Sequence, residues 1–142
     1  MLTTLDLNRI LRNARNFGGV WPSNALPLVI KKPVKFIINL DPSYKEGSHW
    51  VAVNFNKNGT SHYFDSYGRP PEGNVLSFIE RFSPRGFTFS KNKYQDDYSS
   101  SCGYFCILFV LLKHEKFVKI FEKCKTVKNE QKLLKLIKNF IY

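Results

Sequence analysis

The chain has 142 residues, 43% of them hydrophobic and 15% aromatic, and carries 22 Lys and Arg against 11 Asp and Glu, a formal charge of +11. That size suits one domain over residues 1–142, and the apolar content excludes a disordered tail. The charge favours a polyanionic partner such as nucleic acid or an anionic membrane surface, while the longest apolar run, Cys106 to Leu112, is too short to span a bilayer. A soluble protein is expected, with nucleic acid rather than membrane as the partner.

Thr3 or Thr4 caps a short helix with apolar positions Leu5, Leu7, Ile10 and Leu11, ending near Asn16. The glycines and prolines of FGGVWPSNALP then read as a loop. Pro27 to Leu40 reads as extended chain, PLVI and VKFIINL being split by Lys31, Lys32 and Pro33. Ser48 to Phe55 alternates as a strand, with Val51, Val53 and Phe55 on the face of His49 and Trp50 on the other. Asn56 to Gly59 is a turn, and Thr60 to Asp65 returns as the partner strand.

After the break at Gly68-Arg69-Pro70-Pro71, the spacing predicts a helix over Asn74 to Phe82, then a short strand at Phe87 to Phe89. Ser90 to Ser101 is a polar loop, and Cys102 opens an apolar helix expected to continue past Lys113. A basic amphipathic helix covers Val127 to Phe140. Strands and helices are grouped rather than alternating, which makes the class α+β.

Cys102 follows three serines and precedes Gly103 and the apolar helix. A thiol there feels the positive end of the helix dipole, which favours thiolate, the backbone N–H groups of Cys102 and Gly103 can hold an oxyanion, and Gly103 lets a substrate backbone approach closely. The bland alternative is a buried structural cysteine. Cys102 and Cys106 are four apart, poor geometry for a disulfide on one helix, and the N-terminus MLTTLDLNRI lacks a signal-peptide pattern; a reducing intracellular setting is expected.

A thiolate nucleophile needs a base, and there are three histidines. His114, among lysines, reads as a solvated surface residue and His62 as a half-buried strand residue. His49, at a strand start after Gly-Ser, is the best placed. Asp65 closes the returning strand and is the candidate to orient it, with a turn-starting aspartate as the alternative. A two-residue Asn58-Gly59 turn would set His49 opposite Gly68 and turn Asp65 to the other face, so the pairing needs an odd-numbered loop or a bulge at Asn56 to Gly59. Gln95, seven residues before Cys102, offers a second oxyanion donor unless it is merely solvated.

Taken together, HW, YFDSYG and the run from Gln95 to Cys102-Gly103-x-Phe105-Cys106 resemble the adenovirus maturation proteases and their viral, virophage and Maverick-type transposon relatives, over about Gly18 to Leu112. The resemblance implies a mixed or antiparallel central sheet flanked by helices, of the type shared with the ubiquitin-like-modifier proteases. It implies a His49–Asp65–Cys102 triad assisted by Gln95, a cleft containing Gly19, Trp21 and Trp50, and no metal or organic cofactor. It further implies a monomer in the virion and virus factory, cutting capsid or core precursors at small, Gly-containing sites with stimulation by DNA. That family's disulfide-linked peptide activator cannot apply, because Thr60 to Ser101 contains no cysteine. The Asp65-Ser66 pair is closer to the modifier proteases, which keeps an isopeptidase as a rival.

Lys113 to Tyr142 holds nine lysines and three glutamates, with Leu133, Leu134, Leu136, Ile137, Phe140 and Ile141 forming one apolar face. A solvated helix packed on the domain is the plain reading; the sharper one has Lys125, Lys128, Lys132 and Lys135 contacting DNA phosphates without sequence preference. A catalytically silent DNA-binding virion protein is the rival from another class.

Overall fold

The computed structural model describes residues 2–41, 49–95, 100–121 and 126–141. In chain order the elements are α1 (Thr4–Leu11), β1 (Phe17–Pro22), β2 (Val34–Asn39), β3 (Trp50–Phe55), β4 (Ser61–Phe64), α2 (Gly73–Phe82), β5 (Phe87–Phe89), α3 (Cys102–Leu111), α4 (His114–Phe121) and α5 (Thr126–Ile141). The strands form a mixed sheet in the order β1-β2-β3-β4-β5, antiparallel at its centre and parallel at both edges. The class is α+β, as expected.

Thr3 caps α1 through a reciprocal pair: Asp6 N–H donates to Thr3 Oγ1 at 3.1 Å, and Thr3 N–H to Asp6 Oδ2 at 2.9 Å. The FGGVWPSNALP segment, expected to be loop, contains β1, which pairs in parallel with β2 and has a register shift between Phe17 and Val20. Its glycines serve packing: a Cβ on Gly18 would lie 2.4 Å from the Phe36 ring. Pro22 is tolerated at the end of an edge strand, where no ladder donor is needed.

Two apolar layers enclose the sheet. Val51, Val53, Phe55 and Tyr63 face α2, whereas Trp50, Ala52 and Phe64 face α1, α3, α4 and α5. Helix α3 lies in the middle of the second layer and is buried on nearly all sides, so its apolar content is uniform rather than striped. Phe64 packs there with Tyr94, Phe109 and Phe117 at centroid separations of 5.1–5.3 Å. Truncating Phe64 to alanine would cost about 3–5 kcal/mol.

Helix α3 stops at Leu111 instead of continuing past Lys113, because Leu112 turns extended (φ −93°, ψ 151°). The carbonyls left at the helix end find a partner from β2: Lys35 Nζ donates to Val110 O and Leu112 O at 3.1 Å and to Phe109 O at 3.4 Å. That contact spans 74 residues or more of sequence, so no local signal marks it. The expected single apolar face of α5 also divides: Leu133 and Ile137 are buried, while Leu134 and Phe140 are exposed.

The hairpin joining β3 and β4 decides which face of the sheet Asp65 occupies. Its register runs from Ala52↔Phe64 to Phe55↔Ser61, and Asn56 N–H donates to Thr60 O at 2.9 Å, leaving a three-residue loop, Lys57 to Gly59. Gly59 takes the positive φ (93°) that such a loop needs at its last position. The expected odd-numbered loop is therefore present. Carried one pair further, the register sets Asp65 opposite Val51, so His49 is its diagonal neighbour on the same face rather than its direct partner.

Candidate active site

The ends of β1, β2 and β4 and the start of β3 meet at one end of the sheet, with Pro22 beside Asn39 and Asn39 beside Trp50. His49 sits just before β3, held by its carbonyl, which accepts from Leu40 N–H at 3.1 Å. Asp65 sits just after β4 and is 1% exposed. His49 Nε2 and Asp65 Oδ1 are 2.8 Å apart, and the same oxygen accepts from Tyr67 N–H at 2.8 Å. Asp65 is thus both turn-starter and histidine partner.

Cys102, at the first position of α3, is the other group that helps to hold the proton on His49. With Nε2 committed to Asp65, Nδ1 is the nitrogen left for the thiol. Burial on its own would lower the His49 pKa; hydrogen bonds to Asp65 and Cys102, and the charges of both, outweigh it and raise the value from 6.5 to about 9. The raised value favours the imidazolium form of the ring.

Cys102 is 5% exposed. Ser101, at the N-cap, does not cap α3 with its side chain; its Oγ donates to Glu130 Oε1 on α5 at 2.9 Å. The first backbone N–H groups of α3 are left uncapped by that hydroxyl, the disposition an oxyanion site requires. Cys106, one turn on, is fully buried, and burial pushes its thiol up, well above the ordinary range. It is a packing residue.

Gln95 is fully buried rather than solvated. Ser66 Oγ donates to its Oε1, and its Nε2 donates to Tyr67 O–H at 3.2 Å. Its backbone N–H donates to Ser66 O at 3.3 Å, which docks the Gln95 segment on the turn after Asp65. Sequence reasoning does not single out Ser66 or Tyr67 as site residues. The turn itself is legible in DSYG, but the partner of its side chains lies 28 and 29 residues on.

Several expected site residues are placed differently. Trp50 is 2% exposed and packs beneath Gly103, so it supports the site from the core instead of lining an open cleft. Gly103 is buried as well: a Cβ there would lie 3.1 Å from Leu2 Cδ1 and 3.3 Å from Trp50 Cδ1, so the glycine makes room for core side chains rather than for substrate. Gly19 adopts φ +107°, and the Trp21 ring folds back so that Nε1 donates to Gly18 O at 3.0 Å. Trp21 joins the α2 layer and lines a groove with Leu26 to Val29, on the other side of the sheet from α3.

Of the lysines considered for DNA, Lys128 and Lys135 are exposed, while Lys125 lies outside the described residues. Lys132 is half-buried and donates to Ile120 O at 3.0 Å, near the end of α4, which takes its ammonium away from an open basic face. His114 is not a solvated surface residue: its ring lies 4.4 Å from that of His62. His62 is half-buried, as expected, within hydrogen-bond distance of Thr88 Oγ1 (2.6 Å) and Ser90 Oγ (2.8 Å). Among the described residues no group of three or more His, Cys, Asp or Glu is arranged to hold a metal, and no helix is long and apolar enough to cross a membrane.

No protein-family model matches the chain. A protein of Acanthamoeba polyphaga mimivirus named as a thiol protease is 36% identical over 86 aligned residues, covering 53% of this chain and 28% of that protein. Among solved structures, the ASFV pS273R protease superposes with a TM-score of 0.50 at 22% identity, over 70% of this chain and 43% of that one. The central domain of the uncharacterized Lpg1148 protein from Legionella pneumophila gives a TM-score of 0.53 at 14% identity, over 97% and 98% of the two chains. The fold is thus one found in a viral protease, and the sequence likeness is to a viral protein named for the same activity. Neither singles out the adenovirus branch. The chain spans less than half the length of both viral proteins.

Proposed function

We propose that the chain is a cysteine peptidase in which Cys102 is the nucleophile, His49 the proton carrier, Asp65 the group that orients it and Gln95 an oxyanion donor. The observation that supports this best is the His49 side chain, hydrogen-bonded to buried Asp65 at 2.8 Å and influenced by Cys102 at the start of a helix. In that arrangement thiolate sulfur attacks the peptide carbonyl, and the developing oxyanion is met by the Gln95 amide and the Cys102 backbone N–H. The C–N bond breaks as the His49 imidazolium gives its proton to the departing amine. His49, now neutral, takes a proton from water, which hydrolyses the thioester and restores the thiolate.

The substrates we propose are viral capsid or core precursors cut at small, Gly-containing sites, in the manner of the adenovirus-type enzymes. DNA is proposed as a sequence-independent partner, drawn by the net charge of +11 and by exposed Lys128 and Lys135. No metal or organic cofactor enters the scheme.

The test is to incubate the protein with the capsid precursors encoded by the same genome and to map new chain ends by mass spectrometry. Cleavage beside glycine that is lost in Cys102→Ala is the expected result. Labelling of Cys102 by a ubiquitin-like-modifier probe without precursor cleavage would replace the processing role with isopeptidase activity. No turnover of either would leave a silent DNA-binding protein.

A further inference from the structure

Tyr67 meets three members of the proposed site at once. Its ring centroid lies 4.9 Å from that of His49, with the planes at 31°. Its backbone N–H donates to Asp65 Oδ1, the oxygen that also holds His49. Its hydroxyl accepts from Gln95 Nε2. On the solvent side, Arg69 places its guanidinium carbon 4.9 Å from the centre of the same ring.

Each contact removes a different freedom. One hydrogen bond to Asp65 fixes a single point of the imidazole but leaves the ring to swing about that bond, because the terminal torsion of histidine is broad. An aromatic face laid against the imidazole restricts that swing and, being electron-rich, favours the imidazolium over the neutral ring. A glutamine amide is similarly ambiguous, since either end can point to the reacting atoms. Ser66 Oγ donates to Oε1 and the Tyr67 hydroxyl receives Nε2, so the amide plane is fixed from both ends.

We propose that Tyr67 is a positioning residue that links the proton carrier to the oxyanion donor, its ring orienting His49 and its hydroxyl orienting Gln95. The inference rests on the peptidase reading of the site. It divides one side chain into two separable roles. Tyr67→Phe keeps the ring and loses the hydroxyl, whereas Tyr67→Leu loses both.

The experiment measures three quantities on the folded protein, with thermal unfolding to show that each variant is folded. They are the NMR titration of His49, the pH dependence of Cys102 alkylation by iodoacetamide, and kcat and KM on a cleaved peptide. The titratable and charged groups facing His49 among the described residues are Asp65 and Cys102, with Arg69 beyond the Tyr67 ring. For Tyr67→Phe the expectation is an unchanged His49 midpoint and a kcat lower by about 10-fold at constant KM. For Tyr67→Leu the His49 midpoint falls by about half a pH unit or more and the alkylation profile shifts with it. Tyr67→Trp, which restores an aromatic face, brings the midpoint back.

A folded Tyr67→Leu protein with the wild-type His49 midpoint overturns the ring's role, and an unchanged kcat in Tyr67→Phe overturns the hydroxyl's. If His49→Ala leaves the alkylation profile of Cys102 as it was, the peptidase reading itself fails. The alkylation assay needs no substrate, so the two failures are told apart.

Discussion

His49 and His62 are buried to similar degrees at opposite ends of the β3–β4 hairpin, yet their pKa values move in opposite directions. Burial is the largest influence on both and lowers both. At His49 it is overcome by a carboxylate and a thiol, and the value rises to about 9. At His62 the partners are two neutral hydroxyls and a second histidine, and the value falls to about 4. Dehydration alone makes an uncharged histidine; only an anionic partner makes a buried one that keeps its proton. The protonated ring suits proton transfer to a leaving amine, the uncharged one a rigid strand contact.

The sharpest way to break this contrast is to remove each ring. His49→Ala should lower turnover by about 10³-fold or more, whereas His62→Gln should leave a folded enzyme within about 2-fold of wild type. Equal losses in the two would mean that His49 is structural. Next in size, Asp65→Asn keeps the shape of the carboxylate without its charge. It should reduce kcat by about 10²–10⁴-fold and bring the His49 titration down from about 9 toward or below 6.5.

Stability against pH tests both histidines together. The folded-state value of His49 is raised, so its contribution is complete below about 6.5 and disappears as the pH climbs through about 9. That of His62 is lowered, so the unfolded chain binds the extra proton and stability is lost as the pH falls from about 6.5 through about 4. Thermal unfolding scans should therefore show an alkaline decline that flattens in His49→Ala and an acid decline that flattens in His62→Gln. The reverse assignment would contradict the partners described. The smallest effect is expected away from both rings: Lys35→Met, which removes the ammonium from the end of α3, should cost about 1–3 kcal/mol in urea unfolding with kcat unchanged.

What can be read from the residues divides along the same line between local and distant causes. Periodicity places α2, β5, the start of α3 and α5, because each is specified by residues within its own span. The parity of the Asn56–Gly59 loop is legible as a requirement of the site, and the three-residue loop satisfies it. β1 is hidden, since glycine and proline read as loop unless a neighbouring strand is known to receive them. The end of α3 is hidden because its cap comes from Lys35 on another element, and the partner of His114 because it lies across the chain on β4. Trp50 and Gly103 carry the right position with the wrong exposure: a residue beside His49 or Cys102 can face a cleft or the core, and only the packing of α3 on β3 decides.

The three-residue tip at Lys57 to Gly59 has no contact with the thiol, yet it decides which side of the sheet Asp65 is on. Removing one residue there would set two demands in conflict. The alternation that keeps Tyr63 and Phe64 in their layers would call for one register, and the approach of Asp65 to His49 for another. An exposed hairpin tip ordinarily tolerates insertion and deletion. Here residue count sets the register that the proposed site needs, so Lys57 should accept substitutions freely, whereas Gly59 is held by its φ of 93° and the count should stay odd.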